Sequence, residues 1–367
     1  MARKPEKVDD TPPWPSPRTN PRLVGHDEAE RALLDSFNSG KLPHAWLICG
    51  PRGIGKATLA HRFARFLLAG EHGGGLFGAP TSLDVDLDSP PARRLVAGGH
   101  ADMRNIEIGI NERTGRRRTE IIVDDVRDLG SFMRLTPAEG GYRVAVIDAA
   151  DEMNRNAMNA VLKLLEEPPP RAVLLLVAHA PGGLLPTIRS RCRRLSLKAP
   201  PEPVAIELVG HYMPDLPSAE RATLVRLTEG SVGRALELVR AGGLALYGDL
   251  FGLLAGLPRL DANAIHAFAE KVARRGDDGE RDFRTVAFLL DWWLKSLLRQ
   301  GATGEASPDL LANEGALRQR LLQGAGLDRW MQVWEKVAHL FARADAVNLD
   351  RKQVVLGSLF AFQSAIR

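Results

Sequence analysis

The apolar positions of this chain keep two rhythms. In the first half, short uninterrupted apolar runs alternate with stretches in which apolar residues recur every three or four positions. The runs predict strands over His44–Cys49, Met103–Ile108, Tyr142–Asp148, Ala172–Ala178 and Arg194–Leu197. Leu174-Leu175-Leu176-Val177 lacks any period-two alternation, as a strand buried on both faces requires. Strands alternating with helices predict an α/β fold, a parallel sheet covered on both faces, with ligands at the carboxyl ends of its strands.

The second half keeps only the helical rhythm. Residues 204–240 read as helical with a break at Gly230, and the pattern resumes past Ala241-Gly242-Gly243. Val286, Leu289, Leu290, Trp293, Leu294 and Leu297 form one apolar stripe; Trp330, Val333, Trp334, Val337, Leu340, Phe341 and Ala344 form another. Such stripes are the core of a helical bundle, and a bundle that leaves one uncovered can oligomerise through it. Asp350 is placed to N-cap a last helix. Pro200, Pro201 and Pro203 mark a linker, and Pro12, Pro13, Pro15 and Pro17 mark an arm expected to be disordered or loosely extended. The expected division is an arm over 1–21, an α/β domain over 22–200, a small helical lid over 201–242 and a helical collar over 243–367.

Composition narrows the class. The chain has 367 residues, too many for one ordinary core, with 44% hydrophobic and 26% charged residues, the balance of a globular protein. No apolar run reaches the roughly 20 residues that span a bilayer, and the amino terminus has no signal-peptide core, so a cytoplasmic protein without a membrane partner is expected. Two cysteines, Cys49 and Cys192, exclude a disulfide framework and a four-cysteine zinc site. A net charge of +4 is compatible with nucleic acid nearby but does not establish it. Four arginines in the turn from Asn111 to Arg118 suit either phosphate contact or a merely solvated loop.

The chemistry gathers where the first strand ends. Gly50-Pro51-Arg52-Gly53-Ile54-Gly55-Lys56-Ala57 has the glycines and lysine of a P-loop, between an apolar run and a helix carrying Leu59, Phe63, Phe66 and Leu67. Gly50, Gly53 and Gly55 let backbone N–H groups wrap a phosphate, and Lys56 adds a point charge. Ala57 stands where a hydroxyl would ligate Mg²⁺, and Thr58, rotated about 100° further round a helix, is no substitute. Asp148 ends the third strand as a metal-binding carboxylate should, or simply caps the next turn, and Ala149 follows it where a glutamate would orient water. A nucleotide, ATP or ADP, is therefore expected to bind without being hydrolysed.

Several phrases together resemble the clamp-loader branch of the AAA+ ATPases, and within it the bacterial DNA polymerase III delta-prime family. They are Leu23-Val24-Gly25-His26, Lys41-Leu42-Pro43-His44-Ala45-Trp46-Leu47, Ile147 to Asn154 continuing through Asn159 to Pro169, and Leu185-Pro186-Thr187-Ile188-Arg189-Ser190-Arg191-Cys192. The resemblance implies a P-loop AAA+ domain, a helical lid and a collar, with Val24 and Gly25 beside adenine. It also implies that Arg191 of Ser190-Arg191-Cys192 acts as an arginine finger in trans, although a plain basic strand edge would read the same way without its flanking motif. The implied partners are the tau/gamma ATPase subunits and the delta subunit, with primed DNA and the sliding clamp reached through the complex. Three positions depart from the family's motors: Ala57, Ala149, and Gly233 in place of a sensor arginine, with Arg234 one place beyond as a partial replacement. The zinc module of many relatives is expected to be absent or rebuilt without metal. The rivals are an ATP-hydrolysing motor subunit of the same loader and, further off, a P-loop transferase.

Overall fold

The computed structural model describes residues 12–69, 78–111, 118–139, 141–347 and 349–366. The described residues fall into two compact units. One runs through Tyr212 and takes in Gly230–Gly233; the other comprises Met213–Glu229 and the chain from Arg234 onward.

The first unit is built on five strands, β1 (Ala45–Cys49), β2 (Met103–Ile106), β3 (Arg143–Asp148), β4 (Ala172–Ala178) and β5 (Arg193–Ser196). They lie in the order β2-β3-β4-β1-β5, and every pairing is parallel. The expected P-loop α/β sheet is what forms, within a residue or two at the strand ends. β2 stops at Ile106 rather than Ile108, because the chain leaves β3 there and Gly109 O accepts instead from the Arg118 N–H at 2.9 Å. Each inner strand sends alternate residues into two cores. On one face Leu47, Ala145, Ile147, Leu174 and Leu176 pack; on the other Trp46, Ile48, Val144, Val146 and Leu175 do. This double burial explains why these runs show no polar alternation.

Around the sheet lie α1 (Asp27–Asn38), α2 (Lys56–Ala69), α3 (Pro90–Ala97), α4 (Val123–Arg127), α5 (Leu129–Arg134), α6 (Arg155–Glu166), α7 (Pro186–Arg191) and α8 (Glu202–Tyr212). Leu59, Phe63, Phe66 and Leu67 of α2 are all at most 2% exposed against one sheet face. α6 begins where Asn154 Oδ1 accepts from the Ala157 N–H at 3.0 Å, and it covers the other face with Val161, Leu164 and Leu165. Of the amino-terminal arm, residues 1–11 lie outside the described residues. Its last part lies against α2: Arg65 donates to Arg18 O and Asn20 O at 2.6 and 2.9 Å, and Arg62 to Pro21 O at 3.0 Å.

The second unit is helical among its described residues: α9 (Ser218–Leu227), α10 (Val232–Arg240) from Arg234 onward, α11 (Gly243–Ala255), α12 (Ala262–Val272), α13 (Asp277–Thr303), α14 (Glu314–Gly324), α15 (Leu327–Val347) and α16 (Arg351–Ile366). Both sequence stripes supply its core, with Trp293 and Trp330 fully buried and Trp334 giving its indole N–H to Asp291 Oδ1 at 2.8 Å. Asp350 caps α16 as expected, accepting from the Gln353 N–H at 3.0 Å. The same unit holds a buried ionic knot that no hydrophobic pattern marks. Glu314 and Arg318 are both fully buried; Glu314 accepts from the Tyr247 hydroxyl and from the N–H groups of Leu310 and Leu311. Arg318 donates to Glu314, Gln300, Asp309 and the Ser307 carbonyl. Among the described residues no single helix is long and apolar enough to cross a membrane.

Candidate functional site

The P-loop leaves the carboxyl end of β1, which lies between β4 and β5, and runs into the first turn of α2. Gly50, Gly53 and Gly55 adopt φ of 148°, 77° and 103°, values that side chains rarely reach. At Gly50 space is equally decisive, since a Cβ would come within 2.4 Å of Leu197 O. The loop is thus a run of glycines leading into a 14-residue helix, with the Gly50 N–H already given to Ala178 O at 3.3 Å, and a helix start of this kind favours an anion.

Lys56 is 2% exposed, and its Nζ donates to the loop's own Pro51 carbonyl at 2.5 Å. Burial pulls its pKa down to about 8, against the opposing pull of the Asp148 and Asp151 charges. Asp148 ends β3, one strand removed from β1. Burial and then the Glu107 charge push its carboxyl up to about 6, while Lys56 holds it back. Lysine and aspartate therefore act on each other electrically in partly desolvated surroundings, the setting in which an added phosphate would have most effect. Asp151 sits apart from this pair in its bonding, accepting from the N–H groups of His179 and Ala180 at the end of β4.

Three contacts clamp the loop, and none was legible as such in the chain. His26 Nε2 lies 2.6 Å from Ile54 O. Ser231 Oγ donates to Arg52 O at 2.6 Å, and the Gly233 N–H donates to Gly53 O at 2.8 Å. The Gly230–Gly233 turn belongs to the same compact unit as the loop. Gly233 is required there: its Cβ would stand 2.9 Å from Gly53 Cα and 3.0 Å from Gly53 O. The glycine that replaces a sensor arginine thus brings backbone to backbone. Arg234 lies over the Phe288 ring at 4.5 Å in the second unit, where its guanidinium is engaged with an aromatic face.

Of the other sequence-selected residues, Ala57 opens α2 with no side-chain oxygen, and Thr58 is buried one position further round the helix. Val24 and Gly25 precede α1; Gly25 has φ 82°, and a Cβ there would meet Pro200 Cβ at 2.9 Å. Ala149 is buried directly after Asp148. Arg191 is the last residue of α7, separate from the loop, with its side chain 37% exposed. Its Nη2 lies 3.1 Å from Glu166 Oε1, and Nη1 donates to Thr187 O at 3.2 Å. Glu166 had passed unnoticed inside its sequence motif. Cys192 beside it is a thiol whose pKa burial raises to about 12, too high for reactivity at neutral pH. Of the arginine-rich turn, Arg113, Arg116 and Arg117 lie outside the described residues; Arg118 is paired with Asp125 at 2.8 Å.

Comparison with known proteins points one way. The family model described as "DNA polymerase III, delta subunit" matches residues 25–201. The chain is 37% identical over 188 residues to the DNA polymerase III subunit delta' of Pseudomonas aeruginosa, covering 51% of this chain and 53% of that protein. It is 29% identical over 334 residues to the DNA polymerase III subunit tau of Escherichia coli, covering 83% of this chain and 47% of tau. The chain thus spans about half the length of the curated relatives it matches. A DNA polymerase III gamma subunit-related protein from Thermotoga maritima superposes at a TM-score of 0.42 with 18% identity, covering 91% of this chain and all of that one. The motifs, the parallel sheet and the sequence match coincide on the same stretch of chain, residues 25–201, which is similar to the DNA polymerase III delta-subunit family.

Proposed function

We propose that this chain is the delta-prime-type stator of a bacterial DNA polymerase III clamp loader. It binds nucleotide weakly or as a spectator, does not hydrolyse it, and presents Arg191 to the ATP site of an adjacent tau/gamma subunit. The observation that carries this reading is the pairing of an intact phosphate cradle with apolar residues at the metal and water positions, Ala57 and Ala149. The residues that would hold a nucleotide are Lys56, the backbone amides around Gly53 and Gly55, and Val24 with Gly25 beside the base. Mg²⁺ does not fit the same way: Ala57 has no oxygen, and Asp148 alone, with its carboxyl pushed up to about 6, is a poor cation ligand. No zinc is invoked.

Arg191 suits the remaining role because a guanidinium is permanently charged, planar and multidentate, matching the charge that spreads over a transferred phosphoryl group. It sits at an exposed helix end, where a neighbouring chain can reach it. In the loader, delta and the tau/gamma motors complete the ring, and hydrolysis in the motors drives loading of the sliding clamp on primed DNA.

A second reading, an active motor subunit, draws on the match to tau over 83% of this chain. Purified chain tested for Mg²⁺-dependent ATPase separates the two. No turnover is expected alone, and turnover is expected only on reconstitution with tau/gamma and delta. ATP hydrolysis by the isolated chain, abolished in Lys56→Ala, rejects the stator reading.

A further inference from the structure

Further along α2, roughly 8–14 Å from Lys56 at the helical rise, lies a cavity of about 50 Å³. Arg18, His61, Arg65 and His100 line it, and no aspartate or glutamate does. Arg65 is 4% exposed; it donates to the Arg18 and Asn20 carbonyls, and among the described residues no carboxylate pairs with it. His61 is equally buried, and burial followed by the charges of Arg65 and Arg18 pulls its pKa down to about 4. His100 accepts at Nδ1 from the Asp102 N–H at 3.1 Å, which leaves its proton on Nε2. That buried Nε2 has no hydrogen-bond partner, since Glu139 Oε1 is 3.7 Å away.

The acids nearby are committed elsewhere. Glu139 is paired with Arg94 at 2.5 Å. Asp102 is held by Arg143 at 3.1 Å and by the N–H groups of Ala138 and Glu139. A buried guanidinium without a carboxylate, an orphan imidazole donor and a second arginine around one void form a cluster that lacks an anion.

We propose that this cavity binds a tetrahedral oxyanion of the phosphate class, held by Arg65, His100 Nε2–H and Arg18. A water molecule needs about 10–15 Å³ of such space, so the void takes several waters or one small oxyanion but no nucleoside. The ligand is therefore a free inorganic phosphate or the phosphate of a longer chain whose remainder lies outside. Its negative charge would favour the imidazolium of His61, which now faces only the cations Arg65 and Arg18, with neutral His100 across the void and the Arg62 charge acting on Arg65.

The full chain with isotope-labelled histidines, titrated with sodium phosphate against ionic-strength-matched NaCl, tests this. The His61 and His100 ring signals should shift saturably, and the His61 titration midpoint should rise from about 4 by about one unit or more. His26, bonded to the P-loop at Ile54 O, reports separately on any phosphate bound there. Arg65→Gln should weaken the response by about tenfold or more, and so should Arg18→Gln, an exposed change that leaves the fold alone. A single-stranded oligonucleotide run in parallel tells the two phosphate sources apart, and a response to either supports the site. No saturable shift at His61 and His100 up to about 10 mM phosphate overturns the proposal. An equal shift in NaCl, or one undiminished in both variants, does so too.

Discussion

Replacing Arg191 by alanine sets two magnitudes against each other. Within the folded chain the side chain makes an ion pair with Glu166 at 3.1 Å, the partners being 37% and 50% exposed, and bonds to Thr187 O at the end of α7. An exposed pair of this kind is worth about 0–1 kcal/mol, and a cation at a helix carboxyl terminus about 0.3–1 kcal/mol. Stability should therefore fall by no more than about 2 kcal/mol, lowering the melting temperature by roughly 2–4 °C per kcal/mol for a chain of this size. Loss of an arginine finger removes about 10³–10⁵ in rate, or about 4–7 kcal/mol of transition-state stabilisation, at the one ATP site it serves. The two scales differ enough to be told apart. The assay is steady-state ATPase of the reconstituted loader with Arg191→Ala, alongside its melting curve and a sizing measurement of assembly. The expected result is intact assembly, near-normal melting and a large drop in DNA-stimulated hydrolysis. Arg191→Lys should not restore it, because an ammonium keeps the charge and loses the planar fork. Unchanged ATPase in a correctly assembled loader would refute the finger, and a collapse of melting would make Arg191 a structural residue.

Glu314→Ala should cost about 3–5 kcal/mol by urea unfolding, since it strands the buried Arg318 charge, the Tyr247 hydroxyl and two backbone N–H groups; a loss under about 1 kcal/mol would contradict that accounting. Gly233→Ala should destabilise by about 1–2 kcal/mol despite better helix propensity, because the new Cβ meets P-loop backbone at 2.9–3.0 Å; a stabilised variant would mean the loop yields freely. Asp148→Asn should stabilise the chain at pH 7.5 by on the order of 2–3 kcal/mol. The sign follows from an aspartate raised to about 6 from an ordinary 3.8: the native state takes up its proton first, so the wild type gains stability as pH falls from 7 towards 5, and the asparagine variant should lack that rise. Equal pH profiles for the two proteins would show that Asp148 titrates normally.

The strands, the P-loop, the cap at Asp350 and both collar stripes could all be read from the chain. Each depends on a local rule: double-faced burial forbids polar alternation, left-handed φ selects glycine, and helix starts need an oxygen acceptor. The vacancy at Ala57 and Ala149 was equally plain, because a missing oxygen is a fact of residue type. What the chain withheld were pairings between distant positions. Nothing local tells that Gly233 docks on Gly53, that His26 ties down Ile54, that Glu166 holds Arg191, or that Glu314 and Arg318 bury a charge pair among helices. The four basic residues around the void beside α2 are likewise scattered from Arg18 to His100. Sequence by itself determined which backbone each segment prefers and which chemistry each side chain can perform. Tertiary structure alone decided which of those groups meet and how far water is excluded from them, because hydrogen bonds and ion pairs act over a few ångströms and their strength is set by the local dielectric.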